Sequence, residues 1–206
     1  MGEGLEYLTE EDIKAIISAA EEENETHALL LKVLASTGAR VSEIVGLSRY
    51  DSRDKGDHFE LALTPAKINP KDNMIRLVCL KRKKYGGEWR YVKVSPSLIA
   101  ELLDYVKRNR IGSGERIFPY SRRWVLELVK RYAEKAGVTI SPPEERKHGR
   151  TPHPHLFRHS YAINLARQMK RPEELAILQR RLGHKTLNST GIYLTRLPDS
   201  LPAPDF

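Results

Sequence analysis

The chain has 206 residues, and its 35 Lys and Arg outnumber its 27 Asp and Glu to give a formal net charge of +8 at pH 7. This length suits one or at most two domains, and 40% hydrophobic with 30% charged residues is typical of a soluble globular protein. The longest apolar stretch, residues 28–35, is far shorter than the roughly 20 residues that span a bilayer. A transmembrane protein is therefore excluded, and no membrane partner is expected.

The N-terminus is acidic and lacks the basic and apolar regions of a secretory signal, which predicts a cytoplasmic location. The single cysteine, Cys79, excludes an intrachain disulfide and a cysteine-based zinc site. The excess of positive charge favours a polyanionic partner, most often a nucleic acid.

The first 50 residues predict helices. A capping box that begins at Thr9 precedes apolar residues at helical spacing, which indicates a helix over about 9–23. Thr26 can cap a second helix, and Gly38 supplies its C-terminal stop. A third, short helix is expected to begin near Arg40.

The middle of the chain changes to the alternating pattern of strands. Apolar and polar residues alternate over 59–63 and again over 74–81. Gly86 and Gly87 are a hairpin turn signal, so residues 89–94 should pair back onto 74–81. These segments predict a small three-stranded antiparallel sheet among helices, and the fold class is mainly α with this sheet (α+β).

Helical patterns resume after the sheet. Ser95 and Pro96 are a typical cap and first helical position, and another helix over 121–136 ends at Gly137. The segment 141–154, rich in proline, charge and histidine, is expected to be a loop. Further helices are expected over 155–170, 172–182 and 186–194, followed by an extended tail from residue 197.

Five features could carry chemistry, although each alone has an ordinary structural explanation. An arginine at a helix start usually forms an ion pair, lysines at a hairpin keep an edge strand soluble, and a lone tyrosine is usually half-buried. The five features are Arg40, the basic run Lys81-Arg82-Lys83-Lys84, the segment His155-Leu-Phe-Arg158-His159, the segment Leu182-Gly183-His184, and Tyr193.

Taken together, these residues suit phosphoryl transfer. His155 and Arg158 share one face of a helix and could approach one oxyanion, and two arginines could bracket both non-bridging oxygens of a phosphodiester. Tyr193 could be the nucleophile, a lysine the proton donor to the leaving 5′ oxygen, and His155 the base or an orienting group. No acidic cluster suited to Mg²⁺ accompanies them, so neither a metal nor a cofactor is expected.

Three segments resemble the conserved boxes of the tyrosine recombinase (phage integrase) family, in its Xer-like or archaeal integrase-like branch. The resemblance runs in family order from about Leu8 to Tyr193. It implies the tyrosine recombinase catalytic-domain fold over residues 1–196, with 197–206 as a C-terminal tail. The three segments are Thr37-Gly-Ala-Arg40-Val-Ser-Glu43-Ile-Val-Gly-Leu47, His155-Leu-Phe-Arg158-His159, and Leu182-Gly183-His184 followed nine residues later by Tyr193.

The resemblance implies site-specific breakage and rejoining of DNA through a 3′-phosphotyrosyl intermediate, without metal or ATP. By this resemblance Arg40 and Arg158 clamp the phosphate, His155 and His184 complete the phosphate site, and Tyr193 is the nucleophile.

Two supporting roles also follow from the resemblance. Glu43 is similar to the acidic supporting residue of the family, and the family's lysine lies at the tip of the second and third strands. Counting forward from the strand favours Lys81, whereas a hairpin centred on the two glycines would place Lys83 opposite Arg90. Lys81 is the predicted catalytic lysine and Lys83 the alternative.

The implied partner is double-stranded DNA with inverted-repeat recombination sites, bound by a homodimer on each site and a tetramer in synapsis. Family members usually carry an N-terminal core-binding domain, which is absent before this catalytic region. The chain is therefore either part of a longer protein or a single-domain member. A basic helix over 121–136 is a candidate DNA-binding element through Arg122, Arg123, Lys130 and Arg131.

Three other interpretations remain open. A zinc site is disfavoured because the histidine spacing fits no standard ligand pattern and no cysteine accompanies it. A type IB topoisomerase uses similar chemistry to relax DNA, and a non-catalytic DNA-binding or architectural module would retain binding alone. The histidines considered for zinc are His148, His153, His155, His159 and His184.

Overall fold

The computed structural model describes residues 7–50, 52, 55–79, 88–139, 152–169 and 174–183. Within them it confirms a mainly helical fold with a three-stranded antiparallel sheet of order β1-β2-β3. No helix in this part of the chain is long and apolar enough to cross a membrane. The elements are α1 (Glu10–Glu21), α2 (Glu25–Thr37), α3 (Val41–Val45), β1 (Ile68–Asn69), β2 (Met74–Val78), β3 (Trp89–Lys93), α4 (Pro96–Arg108), α5 (Arg122–Lys135), α6 (Pro154–Arg167) and α7 (Glu174–Leu182).

The predicted capping box starts α1. The Asp12 amide donates to Thr9 Oγ1 at 3.1 Å, and the Thr9 amide donates to Asp12 Oδ2 at 2.9 Å. Two amides at the helix start that lack intrahelical partners are thereby satisfied reciprocally.

The predicted cap of α2 is wrong by two residues. Asn24, not Thr26, caps this helix, and its Oδ1 accepts from the His27 amide at 3.1 Å. Asparagine is among the strongest N-cap residues, so the helix starts two residues earlier than predicted. The Thr26 hydroxyl instead hydrogen-bonds the Tyr105 hydroxyl at 2.9 Å, which ties α2 to α4.

The first predicted strand is also wrong. Phe59–Leu61 forms a turn of 3-10 helix, and β1 is Ile68–Asn69. The backbone at Leu63 makes no strand ladder, because its amide donates to the Ile44 carbonyl and its carbonyl accepts from the Ile117 amide. An alternating pattern over five residues does not distinguish a strand from a buried loop. Here the two hydrogen bonds of Leu63 hold a buried loop.

Strands β2 and β3 pair antiparallel as predicted, but in a different register. Val78 faces Trp89 and Leu77 faces Arg90, so the placement of Lys83 opposite Arg90 is wrong. The register follows from burial, because it keeps the inward-facing residues of both strands on the core side. Residues 80–87, with the two glycines, lie outside the described residues.

The core is built around α2, which packs against α1, α4 and α6. Leu29, Leu30 and Leu31 are all fully buried, so the middle of this helix packs into the core on most of its circumference.

The helices after the sheet agree with the prediction. Ser95 caps α4 with Pro96 at its first position, and Ser121 caps α5. Helix α6 ends at Arg167, three residues before the predicted end, and the predicted start of α7 over 172–173 lies outside the described residues. The predicted loop over 141–154 lies outside the described residues up to 151, as do the predicted helix over 186–194 and the tail.

The turn from α2 to α3 depends on Gly38, which has a φ of +57° and lies directly against the Tyr161 ring. We expect Gly38→Ala to lower the free energy of unfolding by about 3 kcal/mol, because left-handed strain adds to overpacking against that ring. Urea denaturation followed by circular dichroism measures this effect.

Two other glycines are matched controls. Gly137 has a φ of +68° in open space, so Gly137→Ala should cost about 1 kcal/mol for the strain alone. Gly114 lies in open space without a positive φ, so Gly114→Ala should be nearly neutral. A Gly38→Ala variant no less stable than Gly137→Ala would contradict the close packing.

Candidate active site

Arg40 is placed by the turn that ends α2 and starts α3. It is the N-cap residue of α3, where its backbone amide donates to Glu43 Oε2 at 2.8 Å and its Nη1 donates to Glu43 Oε1 at 3.1 Å. The Glu43 side chain is fully buried, whereas the Arg40 side chain is 17% exposed. One carboxylate therefore fixes both the backbone and the guanidinium of Arg40.

A second arginine completes the surroundings of Glu43. Arg90 on β3 donates Nη1 to Oε1 at 2.9 Å and Nη2 to Oε2 at 2.7 Å. Burial alone would raise the pKa of Glu43, but Arg90, followed by Arg40 and Arg158, lowers the pKa below its ordinary value. The carboxylate is therefore charged at neutral pH in the interior of the domain.

Arg90 was not among the predicted site residues. The signal that could have found it is the burial pattern of β3, in which Arg90 occupies an inward position between exposed Trp89 and Tyr91. A charged side chain at such a position needs a buried partner, and Glu43 is that partner.

Arg158 on α6 joins the ends of two other helices. Its Nη1 donates to the Gly38 carbonyl at 2.8 Å and its Nη2 to the Leu182 carbonyl at 2.6 Å. The side chain is 1% exposed. Its charge lowers the pKa values of both Glu43 and His155, which places it electrostatically in the same cluster.

A cleft of about 420 Å³ opens beside this cluster, between the starts of α3, α5 and α6. Arg40 and His155 line it, as do Arg122, Arg123 and His153. The structure thus brings two of the predicted catalytic residues together with two of the predicted DNA-binding residues. This concentration of positive charge suits a polyanion.

The other two basic residues predicted on α5 do not line this cleft. Lys130 pairs with Glu127 at 3.3 Å, and Arg131 pairs at 2.5 Å with Glu23, in the turn after α1. Lys130 and Arg131 lie about two helical turns further along α5 than Arg122 and Arg123, and each has an acidic partner.

His155 lies at the exposed edge of the cleft within a group of histidines. Its ring centroid is 4.6 Å from that of His159 and 6.5 Å from that of His153. Partial burial is the largest cause of the low pKa of His155, and the charges of His159, Arg158 and Arg40 follow. Together they lower this pKa to about 4. At neutral pH the imidazole is uncharged, so it can accept a proton or orient a ligand through a neutral hydrogen bond.

Four predicted site residues, Lys81, Lys83, His184 and Tyr193, lie outside the described residues. Helix α7 ends at Leu182, two positions before His184, and its last carbonyl is the one that Arg158 binds. Among the residues that the structure describes, no three His, Cys, Asp or Glu side chains form a group that could hold a metal ion.

The fold is that of a tyrosine recombinase catalytic domain. The crystal structure of XerA recombinase superposes with a TM-score of 0.68 at 21% identity, covering 97% of this chain and 61% of XerA. The catalytic domain of bacteriophage HP1 integrase superposes with a TM-score of 0.61 at 20% identity, covering 95% of this chain and 90% of that domain.

The sequence comparison gives the family. The model of the phage integrase family matches residues 6–199, and the chain therefore belongs to this family. Tyrosine recombinase XerH of Campylobacter jejuni is 27% identical over 199 residues, which cover 91% of this chain and 48% of XerH. Tyrosine recombinase XerA of Pyrococcus horikoshii is 28% identical over 194 residues, which cover 90% of this chain and 55% of XerA. The chain thus spans about half the length of these relatives.

Glu43→Gln tests the buried ion cluster. The change leaves the Arg90 guanidinium buried without a counter-charge, and we expect the free energy of unfolding to fall by about 3–5 kcal/mol. Asp57→Asn is the control, because Asp57 pairs with the exposed Arg49, and it should leave stability nearly unchanged. Equal small losses in urea denaturation would contradict a buried ionic cluster.

The histidine group predicts a pH dependence. His155 should titrate near pH 4 rather than at its ordinary 6.5, as followed by its ring nitrogens in NMR, with His155→Gln to assign the signals. Because the unfolded chain then takes up this proton first, lowering the pH from about 6.5 to 4 removes stability. A titration of His155 at its ordinary value would contradict this prediction.

Proposed function

We propose that this chain is the catalytic domain of a site-specific DNA recombinase that cleaves and rejoins strands through a 3′-phosphotyrosyl intermediate, without metal or ATP. The observation that carries the proposal is a cluster beside a basic cleft, in which Arg40 contacts one buried carboxylate and the charge of Arg158, from another helix, acts on the same carboxylate. Residues 1–196 would form this domain and 197–206 its tail.

The two arginines would hold the scissile phosphate. A guanidinium matches the geometry of phosphate oxygens, and donors fixed in advance stabilise the negative charge on the non-bridging oxygens in the transition state. Glu43 fixes Arg40 in this way, and the contacts with Gly38 and Leu182 fix Arg158. His155, uncharged at neutral pH, and His184 would complete the phosphate site.

Tyr193 would be the nucleophile. Its oxygen attacks phosphorus, the bond from phosphorus to the 5′ oxygen breaks, and Lys81, or Lys83 as the alternative, gives the departing oxygen a proton. The tyrosine proton goes to His155 or to solvent. The new phosphotyrosine retains the energy of the broken bond, so the 5′ hydroxyl of a partner strand can reverse the step without ATP.

The partner would be double-stranded DNA with inverted half-sites, bound by a dimer on each site and joined into a tetramer in synapsis. Arg122 and Arg123 line the cleft beside Arg40 and would contact neighbouring phosphates. A structure of the relative XerH bound to its difH substrate has a TM-score of 0.65 at 19% identity, covering 93% of this chain and 51% of XerH, which supports a DNA substrate.

Covalent trapping tests the chemistry. The protein is incubated in EDTA with supercoiled DNA from its source replicon and quenched with detergent, and adducts on 3′ ends are expected. Tyr193→Phe should abolish the adducts, and Arg40→Ala or Arg158→Ala should lower cleavage on the order of a hundredfold or more. Arg131→Ala is the control, because its partner Glu23 lies away from the cleft.

The outcomes separate three activities. Adducts at one repeated sequence support a recombinase, whereas scattered adducts would point to a type IB topoisomerase. Near-normal cleavage in Arg40→Ala would overturn the phosphate clamp. No adduct, even when the chain is joined to the N-terminal half of the matched XerA, would mean a DNA-binding module without chemistry.

A further inference from the structure

We propose that Arg90 is a positioning residue that holds the C-terminal end of α7 against the Glu43 cluster. It would thereby set the point from which the segment with His184 and Tyr193 continues. The inference rests on the proposed function, because that function makes these two residues part of the chemistry.

The first support is the number of elements that this one side chain joins. Arg90 lies on β3, is 5% exposed and makes two hydrogen bonds to Glu43 of α3. Its Nε, the third donor position of the guanidinium, donates to the Arg181 carbonyl at 2.7 Å. The planar group thus fixes the distance and angle between α3 and the end of α7.

The second support is the pair of carbonyls at the end of α7. The last carbonyls of a helix have no partners within the helix, and cationic donors also interact favourably with the negative end of its dipole. The Arg181 carbonyl accepts from Arg90 and the next one, of Leu182, accepts from Arg158. Two arginines of the Glu43 cluster therefore hold consecutive residues at this end.

The third support is the packing of Gly183, the residue that leaves α7. It has a φ of +64°, and a Cβ there would lie 2.9 Å from Cys79 Sγ and 3.4 Å from Arg90 Cδ. The backbone therefore passes close to both the end of β2 and the Arg90 side chain, in a conformation that favours glycine. His184 is the next residue along the chain.

These contacts link the two halves of the proposed chemistry. Arg90 shares the Glu43 carboxylate with Arg40, and it shares the end of α7 with Arg158. A shift of Arg90 would therefore displace the phosphate clamp and the nucleophile segment relative to each other. A lysine at this position keeps the charge but lacks the planar fork, so it cannot serve both partners in the same geometry.

Two variants disturb this contact in different ways. Arg90→Lys keeps the buried charge, and its control is Arg76→Lys on β2, where Arg76 stacks on Trp89 instead. Gly183→Ala leaves every charge in place, and its control is Gly137→Ala, which has the same backbone conformation in open space. If one variant fails to fold, the other still tests the contact.

Hydrogen exchange in the free protein tests the docking itself. We expect the amides of residues 180–183 to exchange faster, on the order of tenfold, in Arg90→Lys and Gly183→Ala, while α4 is unchanged in both. The two controls should leave 180–183 protected. Unchanged exchange at 180–183 in the Arg90 and Gly183 variants would overturn the proposal whether or not the protein cleaves DNA.

Cleavage kinetics test the consequence, with two substrates carrying the site found by trapping. One has the ordinary 5′ oxygen at the scissile phosphate and the other has sulfur there, which leaves as a thiolate and needs no proton. Arg90→Lys should slow cleavage of both substrates by about tenfold or more, as a misplaced nucleophile would, with an unchanged Kd for DNA.

Each other result has a distinct meaning. If Arg90→Lys cleaves the sulfur substrate at the wild-type rate, Arg90 acts through the lysine that donates the proton to the departing oxygen. That result would overturn the proposal. A weaker Kd that accounts for the whole loss would also overturn it. If the wild-type chain cleaves neither substrate, the proposed function fails together with the catalytic consequence, and exchange still decides the docking.

Discussion

The fold around the site depends on one buried carboxylate. Glu43 has no exposure to solvent, and a lone charge in such a place would cost several kcal/mol. It is tolerated because four N–H donors converge on its two oxygens, two from Arg40 and two from Arg90. This convergence requires α2 to end at Gly38, α3 to start at Arg40 and β3 to turn Arg90 inward. The carboxylate therefore sets the position of β3 relative to the turn between α2 and α3, although Arg90 and Glu43 are 47 positions apart in sequence.

The same cluster has an excess of positive charge. Three arginines, Arg40, Arg90 and Arg158, act on the single carboxylate, and the uncompensated charge also contributes to the low pKa of His155. Buried like charges destabilise the domain on its own, and an anion at the cleft would relieve the repulsion. Under the proposed function that anion would be the scissile phosphate. Glu43 holds Arg40, and the Gly38 and Leu182 carbonyls hold Arg158, in the structure without it.

Local patterns predicted the helices well, because caps and apolar spacing act within one turn. They failed where a choice depended on distant contacts. Asn24 and Thr26 can both cap a helix, and only packing on α4 gives the Thr26 hydroxyl another partner. The register of β2 on β3 depends on which side chains face the core, and the glycine pair gave no information about that. Arg90 was missed because its ion pair joins residues 47 positions apart.

Acidic residues are distributed unevenly over the basic surfaces of the described part of the chain. A net charge of +8 does not itself select a face. On the side where α1, α2, α4 and α5 meet, arginines and lysines have carboxylate partners, as Arg131 has Glu23 and Arg108 has Glu25. Among the described residues that line the cleft, none is acidic. Opposite charges offset one another over the first surface, whereas the described lining of the cleft contributes basic side chains only. Under the proposed function, this difference favours an approach of DNA to the cleft beside Arg40.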